Sequence, residues 1–205
     1  MCKNTVRGGL ILSCLAVLLA VGMAVTLAGC GEYDPSIKLS DSVPSGFKSS
    51  EVDGMRLAYP DTWDVEESPG FLSADSPDGG ASLLVQHWPA STIEDIPGLE
   101  IYKGDSLDQD VDSAVESSHA KGTEIKRIDK GADGPATIYR YELSGETETG
   151  DERHGYWQYT FSGNSYYMVM ITAPKEAFDS HKDQMLDILN SQKLSDPEAP
   201  QKVSD

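Results

Sequence analysis

Three cysteines in 205 residues are too few for a disulfide scaffold. The four histidines, His87, His119, His154 and His181, lie far apart and none opens a close metal-ligand spacing such as HExxH, so no metal site is expected. Basic charge is also scarce, with 16 Lys+Arg against 34 Asp+Glu and a net charge of −18. A nucleic-acid partner is thereby excluded, because phosphates need clustered positive charge to neutralise them. Electrostatic docking on anionic headgroups is disfavoured for the same reason. There is no G-x-S-x-G, no Walker A loop and no G-x-G-x-x-G, and no cofactor is implied. Two acidic runs fall short of a calcium loop. The run from Asp108 has Ser113 where Gly belongs and His119 where a bidentate carboxylate belongs. The run from Asp129 has Gly131 at a ligand position and Arg140 at its end. A solvated helix face and a hairpin turn describe them better.

What is present is concentrated at the N-terminus. Lys3 and Arg7 precede an apolar block from Leu10 to Leu27, and no other charge occurs before Glu32. A positive segment, an apolar segment and small residues at a cleavage point make a secretory signal. The 18 residues of the block also approach the span of a bilayer, which makes a retained anchor the rival reading. Leu27-Ala28-Gly29-Cys30 decides between them, because it resembles the bacterial lipobox. That resemblance implies acylation of the Cys30 thiol by a diacylglycerol, with palmitate-type chains, and cleavage just before it. Residues 1–29 are then a signal peptide. The mature chain, Cys30–Asp205, carries 14 basic against 34 acidic side chains, a net charge of −20. Cys2 and Cys14 leave with the signal, so neither a disulfide nor thiol catalysis is available. The expected location is the extracytoplasmic side of a cell membrane, with lipid at Cys30 as the membrane attachment.

Composition shifts divide the rest. Residues 30–46 mix Ser, Asp, Pro and Gly without an apolar period, which reads as the lipidated Cys and a flexible tether. Residues 195–205 read as a disordered tail. One globular domain is expected over residues 47–194, large enough to bury a core without metal or disulfide.

Strand patterns dominate that domain. Phe47–Val52 and Met55–Tyr59 flank Asp53-Gly54, where both positions tolerate positive φ, so a tight hairpin is expected. Phe71–Ser76 and Ala81–Trp88 flank a second turn cluster, Pro77-Asp78-Gly79-Gly80. Thr123–Asp129, Thr137–Ser144, Gly155–Ser162 and Ser165–Thr172 follow. Tyr139, Tyr141 and Leu143 alternate with Arg140 and Glu142, and Trp157, Tyr159 and Phe161 alternate with Tyr156, Gln158 and Thr160. Period-two patterning places one face of each strand on a core. Tyr166 to Ile171 is apolar on both faces and should be central. Helical spacing predicts helices over Asp105–Lys121 and Lys175–Lys193, and Ser91 to Glu94 has the form of a capping box before Pro97-Gly98. The expected class is α+β with a mainly antiparallel sheet.

The stretch Leu57-Ala58-Tyr59-Pro60-Asp61-Thr62-Trp63 after the first hairpin resembles the opening of Mog1/PsbP-like domains. The ending is similar too, with the apolar strand Tyr166–Thr172, Ala173-Pro174, and an amphipathic helix closing at Ile188-Leu189-Asn190-Ser191. The resemblance implies an α-β-α sandwich over residues 47–194. The family's better-known activities do not come with it, since their motif residues are not in this chain and fold does not carry function.

Eight of the chain's 16 aromatics fall between Tyr139 and Tyr167. Most share a strand face with Leu or Phe and read as core. Tyr156 faces away from Trp157, and a hairpin register over residues 145–152 would set it opposite Arg140, with His154 opposite Glu142. Arg140, His154 and Tyr156 are therefore the candidate interaction surface, unless a helix covers them and the pairs are structural. The reading at this stage is a non-catalytic, lipid-anchored extracytoplasmic domain that binds or supports another envelope component. A small-molecule-binding lipoprotein is the alternative, and an enzyme a more distant one.

Overall fold

The structure, a computed structural model, describes residues 37–89, 107–118, 122–146 and 150–201. Contacts divide the chain into two units, Met1–Asp34 and Pro35–Asp205, and all described residues belong to the second. In chain order its elements are β1 (Phe47–Val52), β2 (Met55–Pro60), β3 (Asp64–Ser68), β4 (Phe71–Asp75) and β5 (Ser82–Pro89). Then come α1 (Leu107–Ser118), β6 (Glu124–Asp133), β7 (Ala136–Glu146), β8 (Glu152–Ser162), β9 (Ser165–Pro174), α2 (Lys175–Asn190) and β10 (Lys193–Leu194). The expected capping box at residues 91–94 lies outside the described residues.

Two sheets form, one of three strands in the order β1-β2-β10 and one of seven in the order β3-β4-β5-β9-β8-β7-β6. Each strand pairing is antiparallel. The fold is α+β, as its residue patterns indicated. At the first hairpin Asp53 and Gly54 have φ of 45° and 88°, the left-handed pair that a two-residue turn needs. β9 lies between β5 and β8, the central place that its two apolar faces demand.

Each face of the large sheet has its own core. On one, Tyr156, Val169, Ile171, Leu83 and Val85 pack with β2 and with the α2 stripe Phe178, Met185, Ile188 and Leu189. Burying each such side chain contributes roughly 1.5–3 kcal/mol. On the other face, Val111, Ala114 and Val115 of α1 pack on Tyr139, Tyr141, Tyr159, Phe161 and Tyr166. Odd and even positions of β8 thus serve opposite layers, which makes the α-β-α arrangement. Trp63 joins the α2-side core, while Trp157 is half-buried at the margin of the α1-side cluster.

Three expectations need correction. β3 had no signal, because Asp64-Val65-Glu66-Glu67-Ser68 has only Val65 as an apolar residue; pairing with β4 makes it a strand. Residues 37–46, expected as flexible tether, dock on the domain: Ile37 is buried, Ser40 N–H donates to Asn190 C=O at 2.7 Å, and Lys193 Nζ meets Asp41 at 3.4 Å. Residues 195–201, expected as disordered tail, are hydrogen-bonded: Ser195 N–H to Gly54 C=O at 2.8 Å and Gln201 N–H to Gly163 C=O at 3.0 Å. Backbone amides that find carbonyl partners fix both segments without any apolar pattern to announce them.

Candidate functional site

A polar seam runs between the large sheet and α2. Arg140 on β7 donates its Nε–H to Gln158 Oε1 at 2.8 Å and its Nη2 to Asn190 Oδ1 at 2.9 Å. Gln158 Nε2 then donates to Leu189 C=O at 3.2 Å and to Gln192 Oε1 at 2.8 Å. Gln192 Nε2 closes the chain on Thr160 Oγ1 at 2.6 Å. Arg140, Gln158, Thr160 and Gln192 are all buried. Burial pushes the Arg140 guanidinium down to about 10, against the pull of the Asp129 carboxylate, which favours its charged form. It is still cationic at neutral pH, beside the C-terminal end of α2, where cations are favoured.

The register across β7 and β8 corrects the expected pairing. Tyr156 stands opposite Glu142, Arg140 opposite Gln158 and His154 opposite Ser144. The pairing is displaced by two residues, so each side chain keeps its face but changes its partner. Of the three candidate residues, Arg140 and Tyr156 are buried, the latter with its ring centroid 5.7 Å from Phe178 of α2. A helix covers them, and they are not an exposed patch. Burial, then the Glu142 charge, pushes the Tyr156 phenol up to about 12. His154 lies at the margin, its side chain 26% exposed, 3.3 Å from Glu152 and against the Phe178 ring. Glu152 also takes Lys175 at 2.8 Å, and these two contacts, the Lys175 hydrogen bond foremost, hold its carboxyl below the usual range.

Beside His154, the α2 face has a groove of 470 Å³ lined by Glu124, Ile125, Lys126, Glu142, Ser144 and His154. The opposite face has one of 520 Å³ between α1 and β6, bounded by Asp112, Glu116, Arg127 and Tyr141. There Tyr141 Oη donates to Asp112 at 2.7 Å, Tyr139 Oη donates to Asp108, and Arg127 and Lys130 pair with the same two carboxylates at 3.2 and 2.7 Å. Asp108 and Asp112 are one helical turn apart, so two phenols on one strand face can clasp α1. Burial pushes Tyr139 and Tyr141 well above the ordinary phenol value, and their carboxylate partners add to it. Burial alone would raise the Asp108 carboxyl, but hydrogen bonds from Lys130 and Tyr139 outweigh it and hold it low.

A further pair joins the first hairpin to β5. His87 Nδ1 lies 2.8 Å from Asp53 Oδ2, its ring stacks on Tyr167 at 4.6 Å, and Tyr167 Oη donates to Asp53 C=O at 2.8 Å. Sequence reasoning passed over Gln158, Asn190 and Gln192 and read Asp108 and Asp112 as part of a solvated helix face, whereas both carboxylates meet the phenols of β7. The signals available were Gln158 sharing the parity of Arg140 within an aromatic strand, and a polar Asn190-Ser191-Gln192 run closing an apolar helix. Among the described residues, no group of three His, Cys, Asp or Glu is placed to hold a metal ion. No helix of the described residues is long and apolar enough to cross a membrane.

No family model and no curated protein matches the chain. Similar solved structures include the solution structure of cyanobacterial PsbP (CyanoP) from Synechocystis sp. PCC 6803, at 16% identity and TM-score 0.44, over 82% of this chain and 99% of that one. The Ran-binding protein Mog1p of Saccharomyces cerevisiae is similar at 9% identity and TM-score 0.45, over 76% of this chain and 97% of its own. LpqN of Mycobacterium tuberculosis, described as involved in cell envelope biogenesis, is similar at 11% identity and TM-score 0.43, over 73% of this chain and 92% of its own.

Proposed function

We propose that this chain is a lipid-anchored extracytoplasmic domain that binds or supports another envelope component without catalysing a reaction. The observation that carries it is Leu27-Ala28-Gly29-Cys30 directly behind the apolar block and ahead of polar Glu32 and Asp34. Cys30 supplies the membrane attachment, and multiple acylation of one residue gives the stable hold that a single chain lacks. The buried polar side chains support the non-catalytic part. Arg140, Gln158 and Gln192 hold α2, and Tyr139 and Tyr141 hold α1, through bonds that use their donors for packing. A small-molecule-binding lipoprotein is the second reading, favoured by the open grooves of 470 and 520 Å³ that flank β6.

Two measurements test the proposal. Metabolic labelling with a radioactive fatty acid should mark the wild type and not Cys30→Ala; equal labelling removes the anchor. In-cell crosslinking with mass spectrometry should yield a protein partner that depends on the folded domain. If the only domain-dependent capture is a small molecule, the second reading takes its place.

A further inference from the structure

Among the described residues β6 is one edge of the seven-stranded sheet and pairs only with β7. In an antiparallel edge strand, alternate residues turn their N–H and C=O groups away from the neighbour. The edge is not uniform. A bulge between Arg127 and Asp129 leaves Ile128 outside the register, with its side chain 40% exposed. Beyond the bulge the edge is closed, since Asp129 Oδ1 accepts the Lys130 N–H at 2.9 Å and Ile37 lies on Gly131. Before it, no backbone bond from the described residues outside the sheet reaches residues 124–127.

The two grooves lie on opposite faces of that same stretch. The 520 Å³ groove is on the α1 face, the 470 Å³ groove is on the α2 face, and Ile125 and Lys126 line both. A strand laid along β6 sends successive side chains to opposite faces, so alternate residues stand over one groove and then the other. A small molecule would account for one groove. An added strand accounts for both and for the open edge between them.

The chemistry of the grooves selects the strand. Val115, Ile125 and Tyr141 give the α1-side groove an apolar wall. Together the grooves carry Asp112, Glu116, Glu124 and Glu142 against Lys126 and Arg127, and Arg127 is already paired with Asp112 at 3.2 Å. We propose that β6 is the docking edge for an extended segment of another protein in which apolar residues alternate with Lys or Arg; this rests on the reading of the chain as a binding domain. The apolar residues face Val115 and Ile125, and the basic ones face Glu124 and Glu142. Opposite charges on neighbouring strands attract, and the −18 of the whole chain draws such a partner in. The same net charge sets two copies of this chain against pairing edge to edge.

The test titrates the full chain, held in detergent, with a fluorescent peptide of alternating Lys and Val, and reads anisotropy and backbone hydrogen exchange. Exchange should slow at residues 124–128 as the peptide binds. Glu124→Lys combined with Glu142→Gln should weaken binding at least about fivefold. Two further peptides are N-methylated, one at every Lys and the other at every Val. The one whose methyl groups face β6 should lose about tenfold, and the other, with its methyl groups toward solvent, should keep its affinity. Equal affinity of the two methylated peptides, or slowed exchange at the β3 edge instead, overturns the docking edge and leaves the binding reading standing. So does a failure of every peptide to bind while crosslinking in cells still captures a domain-dependent partner. Slow exchange at residues 124–128 before peptide is added makes a second copy the occupant if it fades on dilution, and another segment of the same chain if it does not; either result overturns the proposal. No peptide binding together with no domain-dependent partner removes both readings.

Discussion

Arg140 on β7 and Asn190, the last residue of α2, are joined by a 2.9 Å hydrogen bond from guanidinium to amide oxygen. Together with Gln158 and Gln192 they fasten the helix end to the middle of the sheet, inside an otherwise apolar layer. A buried polar group is costly only when unpaired, so each member of such a seam protects the next. Arg140→Ala should leave Gln158 Oε1 and Asn190 Oδ1 without donors and open a void, costing about 2–4 kcal/mol. Arg140→Met should cost less, because it fills the volume and removes a buried charge. Urea unfolding measures both; an alanine variant as stable as wild type would show that the seam carries no stability.

Gly155 lies against the backbone of β9 with no room for a side chain. A Cβ there would stand 2.0 Å from Ile171 C=O oxygen and 2.8 Å from Thr172 Cα, both backbone atoms of β9. Backbone cannot swing aside as a flexible side chain can. Gly155→Ala should therefore shift β8 against β9 and destabilise by about 1–3 kcal/mol, read as a lower urea midpoint. The variant would show no change if the strands part there without loss.

Acid should loosen α1. The folded state holds the Asp108 carboxyl below its ordinary value, so it binds this proton less readily than the unfolded chain. The stabilisation is present above the ordinary value of about 4 and is lost as pH falls through the lower folded value. Asp108→Asn should flatten the acid limb of a stability–pH curve, and an unchanged limb would refute the assignment. Glu152 shifts in the same direction but lies at the surface, so its share is screened by solvent.

Alkali acts through the phenols. Tyr156 is pushed up to about 12, and Tyr139 and Tyr141 higher still, each chiefly by burial. The neutral form is the one the fold accepts, so stability is full below about pH 10 and declines as pH rises beyond it. Tyrosinate absorbance should show these three ionising only together with unfolding. Tyr141→Phe should remove one of them from that step and cost about 0.5–1.5 kcal/mol for the lost bond to Asp112.

The elements with strong periodicity were legible from residues alone. Tyr166 to Ile171, apolar on both faces, is central in the sheet, and Asp53-Gly54 makes its left-handed turn. β3 was not legible, since a strand with one apolar residue among charged ones exists only through its neighbour. The β7–β8 register was not legible either. A loop of several residues does not fix which partner each strand residue takes, whereas a two-residue turn does. The parity was readable and survives: Arg140 and Tyr156 do share a face. Whether that face meets water depends on where α2 lies, and no local pattern contains that.

The sequence by itself determined the acidic charge, the apolar block that runs into Leu27-Ala28-Gly29-Cys30, and the alternation that splits each central strand between two layers. These are local: they depend on residue type and spacing along one chain. The tertiary structure decided that Arg140 and Tyr156 are sealed under α2, that Asp108 and Asp112 receive the two phenols, and that residues 37–46 and 195–201 close on the domain. Each depends on which distant segment supplies the missing partner for a polar group, and the separation of 50 residues from Arg140 to Asn190 is closed only by the folded chain.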